Sequence, residues 1–120
     1  MNLYEKRQWH VKEAPFRPDG IAHTETIFTI GNGLYGIRGT FEEGYPGDHP
    51  TTLAAGVFNH ASGELVPELA AMPSALRMKF AIDGDTFDMK SGRVIGYERT
   101  LDLRTGTLHR GILWLSPKGV

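Results

Sequence analysis

Apolar and polar residues along this chain alternate in short runs broken by Gly, Pro, Asn and Asp, and no run keeps a helical period for long. The clearest pair, Ile27-Phe28-Thr29-Ile30 and Leu34-Tyr35-Gly36-Ile37, flanks Gly31-Asn32-Gly33. Asn-Gly between strand-like runs predicts a tight β-hairpin, because both loop positions of the favoured turn take positive φ. With Asn32 and Gly33 as the loop, Ile30 faces Tyr35 and Phe28 faces Ile37. Glu25 then lies diagonal to Arg38, close enough for a cross-strand ion pair.

The rest of the pattern is also strand-like. Trp9 to Glu13 alternates and reads as a first strand ended by Ala14-Pro15, and Arg17-Pro18-Asp19-Gly20 reads as a turn. Tyr45 to Pro50 is a loop kept irregular by its prolines. Thr51 to Asn59 reads as a buried strand whose alanines and Gly56 admit another backbone closely. Glu64 to Leu76 has the only helical flavour, cut to short turns by Pro67 and Pro73. Met78, Phe80 and Ile82 then share one face, Asp83-Gly84 turns into Thr86 to Met89, and Ser91-Gly92 turns into Arg93 to Tyr97. A strand over Arg99 to Leu103 meets Thr105-Gly106, and Leu108 to Leu115 returns. Ser116 to Gly119 has turn chemistry that makes Val120 the first residue of a further strand. Without that partner, Ile112, Leu113, Trp114 and Leu115 lie at an unprotected edge, which predicts self-association through unpaired strand edges.

Composition supports an all-β reading: 15 Gly and 7 Pro in 120 residues favour a turn-rich chain. The formal net charge of −1, with no basic block, argues against nucleic acid or an anionic membrane as a partner. The absence of Cys excludes a disulfide scaffold and thiolate chemistry. No apolar run approaches the length of a membrane span and the N-terminus has no secretory pattern, so a cytoplasmic location is expected.

Chemistry is sparse. Gly31 to Gly36 matches G-x-G-x-x-G, but the following Gly39, Gly44, Pro46 and Gly47 leave no room for the helix a dinucleotide site needs. A kinase-type glycine loop lacks its lysine strand, and Ile37 and Arg38 stand where a P-loop needs Lys and Ser/Thr. No cofactor is implied. The five His show no metal-ligand spacing, so no metal is expected, and no Ser sits in a nucleophile elbow. Glu42 and Glu43 are neighbours and point apart in a strand, so they read as solvated carboxylates or partners of Arg38, not as an acid/base pair. Glu25 with Arg38 reads as a structural ion pair, with a clamp for phosphate or carboxylate as the sharper alternative. Among the aromatic residues, Trp114 reads as core, and Tyr45, beside Pro46 and Gly47, as the exposed ring best placed for a sugar contact.

Glu25, Phe28, Gly31-Asn32-Gly33, Gly36, Arg38, Gly39 and Glu42-Glu43 together resemble the opening of the N-terminal domain of glycoside hydrolase family 65, the maltose, trehalose and kojibiose phosphorylases. Ala55 to Phe58, Glu64-Leu65-Val66 or Glu68-Leu69 with Pro73, Ile82-Asp83-Gly84, and Tyr97 to Leu108 continue the resemblance in the family's order. Where the family has E-L-V-N-x-P, this sequence reads Glu64-Leu65-Val66-Pro67-Glu68-Leu69. The resemblance implies an antiparallel β-sandwich, galactose mutarotase-like, of which residues 1–120 are the first part. It further implies a partner domain, the catalytic helical barrel, carrying the general acid and the phosphate site of an enzyme that cleaves α-glucosidic disaccharides with phosphate and inversion. No catalytic position carries over to these residues; Glu25, Asn32, Gly33, Gly36, Arg38, Gly39 and Glu43 carry over as a structural motif. On that reading the chain alone is inactive. The alternative is a free-standing carbohydrate-binding or assembly β-domain without enzymatic activity.

Overall fold

A computed structural model describes residues 4–7 and 9–119; the expected strand start at Val120 lies outside them. The described residues are all-β apart from one short α-helix and a 3₁₀ turn before it. One four-stranded antiparallel sheet runs in the order β1 (Tyr4–Arg7), β2 (His10–Glu13), β9 (Arg93–Asp102) and β10 (Thr107–Leu115). A second has the order β3 (Ile30–Gly31), β4 (Tyr35–Ile37), β5 (Thr52–Asn59) and β6 (Glu68–Met72). A two-stranded ribbon, β7 (Ala81–Ile82) with β8 (Asp85–Thr86), closes on Asp83 and Gly84, both at positive φ as the expected turn demands.

The central hairpin differs from its expectation in two ways. Ile21–Ile27 is helix α1, not the approach to a strand. It follows a 3₁₀ turn at Pro18–Gly20, where the fixed φ of Pro18 suits a helical start. Its β-branched residues favour strands, but Thr24 and Thr26 donate back to the carbonyls of Ile21 and Ala22, and Arg38 reaches the Ala22 carbonyl at 3.0 Å. Tertiary bonds therefore override propensity. The loop also slides by one residue. Ile30 pairs with Ile37 and Gly31 with Gly36, so Gly33 and Leu34 are the loop, and only Gly33 needs positive φ, 86°. Asn32 turns instead through its side chain, whose Oδ1 accepts from the amides of Leu34 and Tyr35.

Three further expectations change. The two short strands foreseen over Arg93 to Leu103 are one continuous β9, paired along both edges. Only the start of β5 is buried; Val57 and Phe58 are exposed, and Gly56 meets no other backbone but supplies a φ of 78° where the β5–β6 register jumps. The helical flavour at Glu64 to Leu76 gives way to β6, because Pro67 and Pro73 leave a segment too short to nucleate a helix but long enough to pair with β5.

The apolar core gathers Ile21, Phe41 and Met89, with Phe16, Tyr45, Phe87, Val94, Tyr97 and Ile112 against it. As expected, β10 is a sheet edge, and Leu113 is 61% exposed there. The Ser116–Gly119 turn closes with a 2.9 Å backbone bond.

Candidate functional site

The polar residues that join the two sheets form the site with the most chemistry. Glu13 ends β2 and stands opposite Arg99 of β9 in the antiparallel register. Both face inward, and each is 1% exposed. Arg99 Nε donates to Glu13 Oε2 at 2.8 Å, and the Tyr97 hydroxyl donates to the same oxygen at 2.8 Å. Arg99 Nη1 crosses to the second sheet's connection and donates to the Gly39 carbonyl at 2.6 Å. The Arg99 guanidinium also lies over Phe28, 4.6 Å from its ring centre, and over Phe41, at 5.0 Å.

Arg110 of β10 repeats the theme one step along the layer. Its fork grips Glu43 in bidentate fashion, at 2.8 and 2.5 Å, and takes Glu42 at 2.5 Å. Its Cζ lies 4.0 Å from the Phe41 ring centre, so Phe41 is in cation–π contact with two guanidinium groups. Burial works against the Arg110 charge, but the hydrogen bonds and attraction from Glu43, and then Glu42, outweigh it and raise its basicity. Burial likewise pushes the Tyr97 hydroxyl well above its ordinary value of 10.0. Glu13 Oε1, Arg99 Nη2 and Arg110 Nε find no hydrogen-bond partner among the described residues.

The sequence motif packs beside this layer. Glu25, on α1, is buried; its Oε2 accepts from Arg38 Nε at 3.3 Å and from the His49 amide at 3.1 Å. The expected Glu25–Arg38 ion pair is thus present, between helix and strand end instead of across a hairpin. Gly39 donates its amide to the Glu25 carbonyl and sits so close to Phe28 that a Cβ would come within 2.6 Å of that residue's carbonyl oxygen. Gly36 lies in β4 with ordinary space around it, while Asn32 and Gly33 stand apart at the exposed hairpin tip. Tyr45 is not the exposed ring expected: it is half-buried, its edge packed against Phe16 and Phe41 with ring centres 5.3 and 6.0 Å away. Pro46 and Gly47 carry the chain outward, but the ring turns in.

Glu13 and Arg110 were not singled out by sequence reasoning, and Tyr97 and Arg99 entered it only within the family-like run Tyr97 to Leu108. Alternation could have found them, since Tyr97, Arg99 and Leu101 share one face of β9 and Leu101 is core. A polar residue on that face reads as solvated unless its partner across the sheet is known.

Two openings border the layer. A cleft of about 220 Å³ is lined by Phe28, Arg38, Thr40, Arg99 and Leu108. A groove of about 670 Å³ between the β7–β8 ribbon and β10 is lined by Met78, Phe80, Phe87, Ile112 and Trp114. Trp114 is fixed by its Nε1 bond to the Ser91 carbonyl, 2.7 Å, and by its edge contact with Phe87. Among the described residues no three His, Asp or Glu side chains gather as a metal site, and no helix is long and apolar enough to cross a membrane.

Carboxylates gripped by arginines between aromatic rings hold a β-domain together; Glu42 and Glu43, both on Arg110, do not face one another across a space for a sugar. The class defined by the fold is a β-sandwich domain. The chain belongs to glycoside hydrolase family 65: the family model described as "Glycosyl hydrolase family 65, N-terminal domain" matches residues 11–120. It is 36% identical over 96% of its length to a kojibiose phosphorylase of Halothermothrix orenii, and 30% identical over 98% to an α,α-trehalose phosphorylase of Thermoanaerobacter brockii. It spans only 15% and 17% of those relatives. A nigerose phosphorylase of Lachnoclostridium phytofermentans is 32% identical over 92% of the chain and 15% of its own length. A solved chain from the human microbiome, named as a kojibiose phosphorylase, shares the fold with a TM-score of 0.83 at 24% identity, over 97% of this chain and 17% of that one.

Proposed function

We propose that this chain is the non-catalytic first part of the N-terminal β-sandwich of an inverting disaccharide phosphorylase, and that it supports a helical-barrel catalytic domain in the longer protein. The observation that carries this reading is the engagement of its buried carboxylates: Glu13 serves Arg99 and Tyr97, Glu25 serves Arg38 and the His49 amide, and Glu43 serves Arg110. A general acid needs a carboxyl that a leaving group can reach, and the side chains of all three are buried with one oxygen or both committed to an arginine. The similarity to kojibiose, trehalose and nigerose phosphorylases supports an α-glucosidic disaccharide as the substrate of the longer protein and phosphate as its acceptor.

The test compares two purified proteins. Full-length protein incubated with phosphate and kojibiose, trehalose, nigerose or maltose releases glucose 1-phosphate, whereas residues 1–120 release none. Turnover by residues 1–120 would overturn the scaffold reading, and a full-length protein inert with all four sugars would overturn the assignment of substrate class.

A further inference from the structure

The hairpin tip that the scaffold reading leaves unused carries the groups for a covalent self-modification. We propose that Asn32 is a site of spontaneous succinimide formation, converting to aspartate and isoaspartate without any partner enzyme. Asn32 is exposed and is followed by Gly33, whose missing Cβ removes the usual obstacle to ring closure. A Cβ built on Gly33 meets nothing within 4 Å, so the tip is open to water.

The less usual feature is the setting of the reacting carbonyl. Asn32 Oδ1 already accepts two backbone N–H bonds, from Leu34 at 3.0 Å and from Tyr35 at 2.8 Å. When the Gly33 backbone nitrogen attacks Asn32 Cγ, negative charge develops on that same oxygen. Two preorganised donors at this range are the arrangement that stabilises a tetrahedral oxyanion. The Asn32 amide in turn donates to the Tyr35 carbonyl at 3.1 Å, which fixes the backbone around the reacting group.

The step balances without a co-reactant beyond water. A bond forms between Gly33 N and Asn32 Cγ, the Cγ–Nδ2 bond breaks, and the Gly33 amide proton leaves with Nδ2 as ammonia. Water then opens the imide at either carbonyl. Opening at one carbonyl gives aspartate, whose carboxylate still accepts from Leu34 and Tyr35. Opening at the other gives isoaspartate, which adds a carbon to the main chain and removes the side-chain acceptor, loosening the hairpin between β3 and β4.

The experiment incubates full-length protein in mildly alkaline buffer beside a synthetic peptide spanning residues 30–38, followed by peptide mapping, isoaspartyl methyltransferase labelling and ammonia release. Asn32 is expected to convert over the period in which the peptide converts, while Asn59, followed by His60, stays an amide. Leu34→Pro deletes one donor to Oδ1 and leaves Asn-Gly in place; it slows conversion several-fold. An Asn32 that remains an amide while the peptide converts overturns the proposal, and so does a Leu34→Pro protein that converts at the parent rate.

Discussion

At the residue scale, the buried pair Glu13–Arg99 tests what holds the sheets together. Removing one partner of a buried ion pair strands the other charge, at a cost of about 3–5 kcal/mol, whereas replacing both with apolar residues of similar size is often neutral. Arg99→Ala is therefore expected to lower stability by about that amount in urea unfolding, and Glu13→Leu with Arg99→Met to recover most of it. If the double variant is as unstable as Arg99→Ala, packing against Phe28 and Phe41 outweighs charge. Tyr97 adds a pH prediction. Its folded pKa lies above the 10.0 of the unfolded chain, so its contribution is complete below that pH. Above it the unfolded state loses a proton that the folded state keeps, and stability falls by about 1.4 kcal/mol per pH unit until the folded hydroxyl also ionises. Urea midpoints measured across that range should decline in the parent and less so in Tyr97→Phe. The glycines of the motif separate in the same assay: Gly39→Ala puts a methyl on the Phe28 backbone and should cost about 1–3 kcal/mol, while Gly36→Ala, with 4.0 Å to its nearest neighbour, should stay within about 0.5 kcal/mol.

At the element scale, the sequence disclosed strands wherever alternation and turn chemistry agreed. Asp83-Gly84 and Thr105-Gly106 each mark a reversal whose flanking strands are present, whereas before Ser91-Gly92 the expected strand stops at Thr86, and β9 runs on where two strands were expected. Elements fixed by distant partners were not legible. Nothing within Ile21–Ile27 announces a helix; its back-bonding threonines and the Arg38 contact become visible only when the chain has folded. The motif residues Glu25, Arg38 and Gly39 were legible as a group, but their meeting with Arg99 was not, since Gly39 and Arg99 are 60 positions apart. The edge strand carries the prediction at this scale. With Leu113 61% exposed on β10, whose outer edge has no partner strand among the described residues, residues 1–120 are expected to associate as concentration rises, and Leu113→Lys to return them to monomer. Static light scattering of the two proteins reads the outcome directly; a parent that is monomeric throughout removes β10 as an adhesive edge.

At the scale of the whole molecule, the chain is more open than a compact domain of its length. Its radius of gyration is 16.7 Å, against about 14 Å for a compact chain of this length. Met78, Phe80, Ile82 and Leu113, all at least half exposed, surround or line the groove of about 670 Å³ beside the free edge of β10. Apolar side chains exposed together beside a free strand edge suit a docking face. In relatives of which these residues make up 15–17%, much more chain is at hand to cover such a face. If the longer protein completes the sandwich on β10, the strand's outward amides gain partners and its groove residues lose water. Hydrogen exchange followed by mass spectrometry should then show peptides over 107–115 exchanging slowly in full-length protein and rapidly in residues 1–120, with β9, already paired on both sides, differing far less. Equal exchange in the two proteins would mean that β10 stays an edge in the longer chain, and that the barrel domain is supported from another face.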